Sequence, residues 1–262
     1  MQPPAPLTRS IESSRGPIVL VGASVRAAAE SARRAGFSPI AIDQFGDRET
    51  IAASHQWRPL REVRAAESSL HAFLGIPPEV AVAIVGGVEG GFGWLKLDQI
   101  RFRGADPDLF RRTDQPEFLT KLADLGGVDF PETCVRGMAR PGWLIKQRSS
   151  CGGLGVRYFP ALGDRILPDE DRRQILSSAY CQKIVHGPVC GASFISDGRR
   201  ARLLGVCRLL KKRIGQLPFV FAGAIGPIGL ATPIEKDLVR LGDAFVAMSG
   251  LSGPLNIDVI IR

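Results

Sequence analysis

The sequence predicts an α/β protein, with a parallel-sheet unit first and a strand-rich α+β unit after it. Three observations carry the prediction. A strand–helix–strand pattern runs from Pro17 to Asp43, short apolar strands dominate after Pro141, and Pro107 and Pro116 mark a transition between the two regimes.

The first element is the apolar run Pro17-Ile-Val-Leu-Val-Gly22, which reads as a buried strand. Val25, Ala28, Ala29 and Ala32 follow at helical spacing, and Gly36 suits the stop. Pro39-Ile-Ala-Ile-Asp43 then returns as a strand, and a β-α-β unit of this kind pairs its strands in parallel. An Arg-, Glu- and Ala-rich helical stretch leads to a third buried strand, Val80 to Val85, ended by Gly86-Gly87. Past Pro116, Phe118, Leu119, Leu122 and Leu125 share one helical face, which Gly126-Gly127 closes. Further strands are expected from Trp143 to Gln147, Gly155 to Phe159, Tyr180 to Ile184, Cys190 to Ile195 and Arg202 to Leu209. A late helix carries Leu238, Leu241, Phe245 and Met248 on one stripe, and Leu255 to Ile261 reads as a final strand. No internal repeat is visible. The expected organisation is a disordered lead-in over 1–15, an α/β domain over 16–106 and a second domain over 107–262.

Composition narrows the function classes. With 262 residues, 45% of them hydrophobic and 23% charged, the chain can bury the cores of more than one domain and is not of the disordered class. No apolar run approaches the roughly 20 residues of a membrane-spanning helix. The Pro- and Ser-rich stretch from Met1 to Arg15 lacks a signal-peptide core, so a cytoplasmic location is expected. The 5 cysteines are an odd number and form no CxxC pair, which argues against a disulfide framework or a zinc site. The 3 histidines have no metal-ligand spacing. The net charge of +8 raises nucleic acid as a partner, but only Lys211-Lys212-Arg213 forms a basic run. With 2 Tyr and 3 Trp, no aromatic stacking platform accompanies it. Nucleic acid is therefore disfavoured, and a solvated basic face or a pocket for an anionic nucleotide is the better account.

The strongest local feature is Trp143-Leu-Ile-Lys146-Gln-Arg-Ser-Ser-Cys-Gly152-Gly153-Leu-Gly155-Val156. A strand presents a lysine, and a glycine-rich loop turns into the next strand. Glycines let backbone N–H groups approach phosphate oxygens, and the lysine adds a fixed charge. The lysine precedes the glycines, so this is not a Walker A motif; alone, it is equally a tight hairpin with a surface lysine. Tyr180-Cys-Gln182-Lys183-Ile-Val-His-Gly187 follows as a strand running into a turn, and Gly191 to Asp197-Gly198 as a strand ending in a hairpin signal. Arg202 to Arg208 returns as its partner, then come Phe219 to Pro227 and the acidic strand Leu255-Asn-Ile-Asp258-Val-Ile.

In this order the segments resemble the ATP-grasp superfamily, over about residues 108–262. The resemblance implies a pre-ATP-grasp α/β domain followed by a two-lobed α+β ATP-grasp domain. It implies ATP and Mg²⁺ as cofactors and small-molecule carboxylate and amine substrates. Lys146 would hold the α and β phosphates, with the loop Ser149, Gly152, Gly153 and Gly155 folding over the triphosphate. Backbone at Gln182, Lys183 and Ile184 would take the adenine edge, Arg208 would stabilise the transferring phosphoryl as the catalytic residue, and Asp258 would bind magnesium. Gly22 to Gly36, Gly86 to Glu89 and Phe219 to Pro227 further resemble a bacterial group of small ATP-grasp proteins of the methanopterin and methylofuran pathways, with glutamate ligation as the implied chemistry.

Two features depart from the family pattern. The usual early lysine has no match; Asp114-Gln115-Pro116 stands there, with Lys121 further on. A "Glu-x-Asn-Pro-Arg" metal strand is absent, which reads as a truncated form that binds nucleotide with little turnover. Gly22-Ala-Ser24 at a helix start reads as a structural turn rather than an anion site, since it lacks the GxGxxG pattern. His186 reads as a surface histidine and Cys151 as a small filler; Glu89 is a reserve candidate for the site. The expected function is an ATP-dependent carboxylate–amine ligase, the alternative a non-catalytic nucleotide-binding regulatory or assembly protein. Self-association is compatible with either.

Overall fold

The computed structural model describes residues 15–66, 68–88, 100–134, 142–148, 150–159 and 178–262. The chain divides into two compact units, one ending at Pro107 and one starting at Asp108. Among the described residues, no helix is long and apolar enough to cross a membrane.

The first unit is a parallel sheet in the order β3-β2-β1-β4. β1 (Pro17–Gly22) pairs in parallel with both β2 (Ser38–Asp43) and β4 (Ala81–Gly86). Val19, Leu20 and Val21 of β1 are all buried, as expected of a central strand covered on both faces. One core cluster packs Leu20 and Ala41 of the sheet against Val25, Ala29 and Ala53. α1 (Arg26–Arg34) makes the crossover, and α2 (Arg48–Ala53), α3 (Leu60–Ala65) and α4 (Leu70–Leu74) follow. The helical reading of this stretch omitted β3 (Gln56–Pro59), which pairs with β2 in parallel. Four residues with a single buried side chain leave no apolar period to read.

Asp43, at the end of β2, is fully buried. Its carboxylate accepts from the Gly46 N–H at 2.9 Å, the Trp57 indole at 2.9 Å, the Phe45 N–H at 3.2 Å and the Val25 N–H at 3.3 Å. It thereby ties the β2 turn and β3 to the start of α1. Gly46 must be glycine here: its φ is +57°, and a Cβ would stand 2.3 Å from the Trp57 ring. The Ala23 N–H is taken by the Gly86 carbonyl at 2.9 Å. Gly22-Ala-Ser24 thus spends the N–H groups of Ala23 and Val25 on the fold.

The second unit opens with α5 (Pro107–Thr113) and α6 (Pro116–Gly126) and contains two antiparallel sheets. The first sheet orders β5 (Thr133–Cys134), β8 (Ala179–Lys183), β6 (Trp143–Gln147) and β7 (Val156–Phe159). The second orders β11 (Leu217–Ile225), β10 (Ala201–Ile214), β9 (Val189–Asp197) and β12 (Ser252–Ile260). α7 (Thr232–Ser249) buries Leu238, Leu241 and Phe245, while Met248 of the expected stripe is half-buried. Phe118 of α6 meets Phe245 edge-on at 5.8 Å. Contact is closer still at two glycines: a Cβ on Gly126 would lie 2.8 Å from Leu241, and one on Gly242 would lie 2.6 Å from the Phe194 ring.

β10 runs past its expected end at Leu209. Its pairing with β9 ends at Arg208, and from Leu209 to Ile214 its only partner among the described residues is β11. This part is a two-stranded ribbon. With little core beneath it, Lys211-Lys212-Arg213 shows no burial period that would mark a strand in the sequence.

Candidate functional site

Lys146 sits in the middle of its sheet, opposite Val156 of β7 and Tyr180 of β8. Alternation along a strand puts Leu144 and Lys146 on one face, together with their partners Gln182 and Tyr180. Accordingly Lys146 Nζ donates to Gln182 Oε1 at 2.9 Å. The Gln182 Nε2 in turn donates to Thr133 Oγ1 at 3.2 Å, which fixes the orientation of the buried amide. The lysine ammonium lies 5.9 Å from the Tyr180 ring centroid, and the Arg148 guanidinium 5.8 Å from it. Arg148 also donates to Gln115 Oε1. Burial pushes the Tyr180 phenol up to about 12, with the charge of Asp114 acting in the same direction and Arg148 opposing. The tyrosine is therefore a neutral wall.

On the second sheet, Asn256 stands opposite Ser193 and Asp258 opposite Gly191. Ser193 Oγ donates to Asn256 Oδ1 at 3.1 Å, and Asn256 Nδ2 donates to Asp258 Oδ1 at 2.8 Å. Burial lowers the Lys146 pKa, opposed by Asp258 and then Asp114. Burial raises that of Asp258, opposed by the Asn256 hydrogen bond and by Lys146. Solvent still reaches the Asp258 side chain, so its desolvation is that of a cleft wall rather than a sealed core. Each of the two charges favours the ionised form of the other, against the larger effect of burial.

Both shifts work against the charged form. A lowered lysine pKa contributes stability that is present above the unfolded pKa and lost as pH falls through the folded one. A raised carboxyl pKa contributes stability present below the unfolded pKa and lost as pH rises through the folded one. Charging either group therefore costs folding energy, which a ligand of opposite charge can recover. A phosphate would do this for Lys146, and a cation for Asp258.

Other expected residues fall elsewhere. Arg208 pairs with Cys190, one step out of phase with Cys207, Gly191 and Asp258. Strand alternation puts it on the opposite face of the sheet from Asp258, where its charge lowers the burial-raised Cys190 thiol. Gly152 and Gly153 have φ of +62° and +77°, and the Gly155 carbonyl accepts from the Gln147 N–H at 2.8 Å, closing the loop. Ser149 and Glu89 lie outside the described residues. His186 is exposed.

At the expected hinge, the Lys183 N–H is bonded to the Glu132 carbonyl at 2.8 Å and the Ile184 N–H to the Gly142 carbonyl at 3.0 Å. Among the described residues no group accepts from the Val185 N–H, so the first donor the hinge can offer a ligand is one residue beyond the expected stretch. The Lys183 side chain is exposed and reaches Glu132 at 3.6 Å. An exposed pair of this kind is worth about 0–1 kcal/mol. Lys183→Ala is therefore expected to change nucleotide affinity by less than about threefold. A titration in which it matched the loss caused by Lys146→Ala would put the binding face on the Lys183 side of β8.

Thr133, Tyr180, Ser193 and Asn256 were not foreseen as parts of the site. Each acts through a cross-strand neighbour, and register is what brings them in. Val185 had no side-chain signal at all. Among the described residues, no group of three or more His, Cys, Asp or Glu is placed to hold a metal ion.

A family model described as "ATP-grasp domain" matches residues 113–262. No curated protein matches the chain. Solved structures match it over nearly its whole length. The ADP complex of an N5-carboxyaminoimidazole ribonucleotide synthetase is 12% identical, with a TM-score of 0.64 over 94% of this chain and 66% of that one. The Staphylococcus aureus N5-carboxyaminoimidazole synthetase complexed with ADP is 10% identical, with a TM-score of 0.65 over 96% and 68%. An L-amino acid ligase from Bacillus licheniformis is 14% identical, with a TM-score of 0.64 over 96% and 64%. The chain thus spans about two thirds of the length of these proteins. At such identities the likeness is one of fold.

Proposed function

The chain belongs to the ATP-grasp domain family, and on that premise we propose that it is an ATP-dependent ligase joining a carboxylate to an amine. The observation that carries this reading is Lys146, held by Gln182 at 2.9 Å, on the strand that runs into the closed Gly152 to Gly155 loop. We take the residues before 107 as a preceding domain and 107–262 as the nucleotide-binding module.

Lys146 neutralises phosphate charge, and the Gly152 to Gly155 loop offers backbone donors beside it. The hinge after Gln182 takes the adenine edge through the Val185 N–H, from which no group among the described residues accepts. Asp258 fits magnesium as one carboxylate among phosphate ligands: Asn256 occupies its Oδ1, which leaves Oδ2 for a cation. Bound there, the ion would neutralise phosphate oxygens. In the reaction, a substrate carboxylate oxygen attacks the γ-phosphorus and ADP leaves. The amine then attacks the acyl carbon of the acyl-phosphate, phosphate leaves with the bonding pair, and the amine nitrogen gives up a proton. The opposite-face position of Arg208 argues against a contact with phosphate bound beside Asp258.

The resembling stretches around Gly22 to Gly36 and Phe219 to Pro227 support the narrower reading of amino-acid ligation, with glutamate as first candidate, in cofactor biosynthesis in the cytoplasm. Asp258 belongs to no group of three or more metal-ligating side chains among the described residues, which supports a second reading, a protein that binds nucleotide without turning it over. An ADP-release screen with magnesium, pairing amino acids against amines, decides between them. Slow amine-dependent ADP formation is expected for at least one pair, in keeping with the absent metal strand. ADP binding without release for any pair would transfer the assignment to the binding protein.

A further inference from the structure

The glycine loop is tied to the β10–β11 ribbon at two consecutive residues. The Phe221 N–H donates to the Gly152 carbonyl at 2.9 Å. At Gly153, a Cβ would stand 2.0 Å from the Phe219 carbonyl oxygen and 2.7 Å from its carbon. Alongside, Tyr158 of β7 packs on the Phe219 ring at 5.3 Å, and Lys211 Nζ lies 5.2 Å from the same ring. The loop also has internal bonds, from the Leu154 N–H to the Cys151 carbonyl at 3.2 Å and from the Val156 N–H to the Gly153 carbonyl at 3.3 Å.

The topology explains why the two elements meet. Among the described residues β11 is the edge of its sheet and β7 the edge of the other, and an edge strand carries outward backbone groups in need of partners. The bond from Phe221 satisfies one such group of β11, and its acceptor is the Gly152 carbonyl of the loop that leads into β7. Both contacts at the loop are made by backbone atoms, so they depend on how closely the chains approach rather than on side-chain identity. That approach requires glycine at 153, both for its φ of +77° and because the Cβ direction is already filled by protein.

We infer that the Phe219–Phe221 segment is a positioning element of the nucleotide site, a seat that holds the Gly152–Gly155 loop in the shape it presents to phosphate. Gly153 is then glycine for the seat and not for the ligand. The inference rests on the reading that ATP binds at this loop. A loop already seated has less conformational freedom to lose on binding. Apparent affinity scales with the fraction of molecules in which the loop is seated.

The test uses the full chain and two variants that attack the seat from opposite sides. Gly153→Ala inserts a methyl into the Phe219 carbonyl, and Phe221→Pro deletes the donor to Gly152 on an edge strand, where proline is tolerated. Amide exchange is followed at Leu154, Val156 and the β9 residues, and ADP affinity is measured by calorimetry. Both variants are expected to lose protection at Leu154 and Val156 while β9 keeps its own. If the seated fraction drops to about a tenth, ADP affinity falls about tenfold. Undiminished protection of Leu154 and Val156 in Gly153→Ala would show that the seat does not exist. Lost protection with unchanged ADP affinity in either variant would show that it does not serve the nucleotide. Absence of ADP binding in the unmodified chain would remove the nucleotide reading itself, and exchange alone would then decide whether the loop is seated.

Discussion

Lys146→Ala is expected to weaken ATP and ADP binding by about ten- to a hundredfold, the equivalent of a charge-assisted contact of roughly 1.5–3 kcal/mol. Lys146→Met should lose as much, because it keeps the aliphatic stem and removes only the ammonium. Neither change is expected to lower the thermal midpoint beyond the cost of the one hydrogen bond lost at Gln182 Oε1. Burial is the largest influence on this lysine and already works against its charged form, so the fold gives up little when the charge goes. Loss of affinity with retained stability is the signature of a group kept for a ligand. Calorimetry showing equal ADP affinity in all three proteins would remove Lys146 from the site. A large fall in midpoint would recast it as a structural residue.

Asp43→Ala is expected to destabilise the first unit by about 3–5 kcal/mol, because it leaves several donors without an acceptor at about 1–3 kcal/mol for each that stays buried. The substitution strands the N–H groups of Val25, Phe45 and Gly46 and the Trp57 indole. Asp43→Asn keeps an acceptor oxygen and should cost less. Urea unfolding followed by hydrogen exchange at β1 and β2 amides reads the loss where it arises, and Trp57 emission reports the broken contact. A cost below about 1 kcal/mol would mean the four donors find water on their own. That would place the β2 turn at the surface.

What the sequence revealed, and what it hid, follows from how each feature is encoded. β1, α1, β2 and the α7 stripe were legible because a core-facing element repeats apolar residues at its own period. The lysine strand and its glycine loop were legible because special backbone angles demand a special residue. β3 escaped notice because four residues carry no period, and the end of β10 because a ribbon outside the core has none to carry. The side of the sheet on which Arg208 stands was out of reach for another reason. It is a property of register, and shifting the pairing by one residue exchanges the faces. The Asn256–Asp258 bond depends on the same register. Backbone roles such as that of Val185 leave no trace in residue identity at all.

The close seating of α7 limits which descendants this sequence can have. Gly126 and Gly242 each stand where a single methyl would run into a neighbour, Leu241 in one case and Phe194 in the other. Overfilling a packed site of this kind typically costs about 1–3 kcal/mol, a large share of the stability a domain of ordinary size possesses. Drift at these two positions is therefore closed unless the facing residue shrinks in the same step, so Gly242 and Phe194 can change only as a pair. Glu235, Lys236 and Arg240, on the solvent side of the same helix, carry no such restriction. Among relatives that share this helix, the solvent side should diversify freely while the two glycines persist, a contrast that arises from geometry and would hold whatever substrate the protein takes.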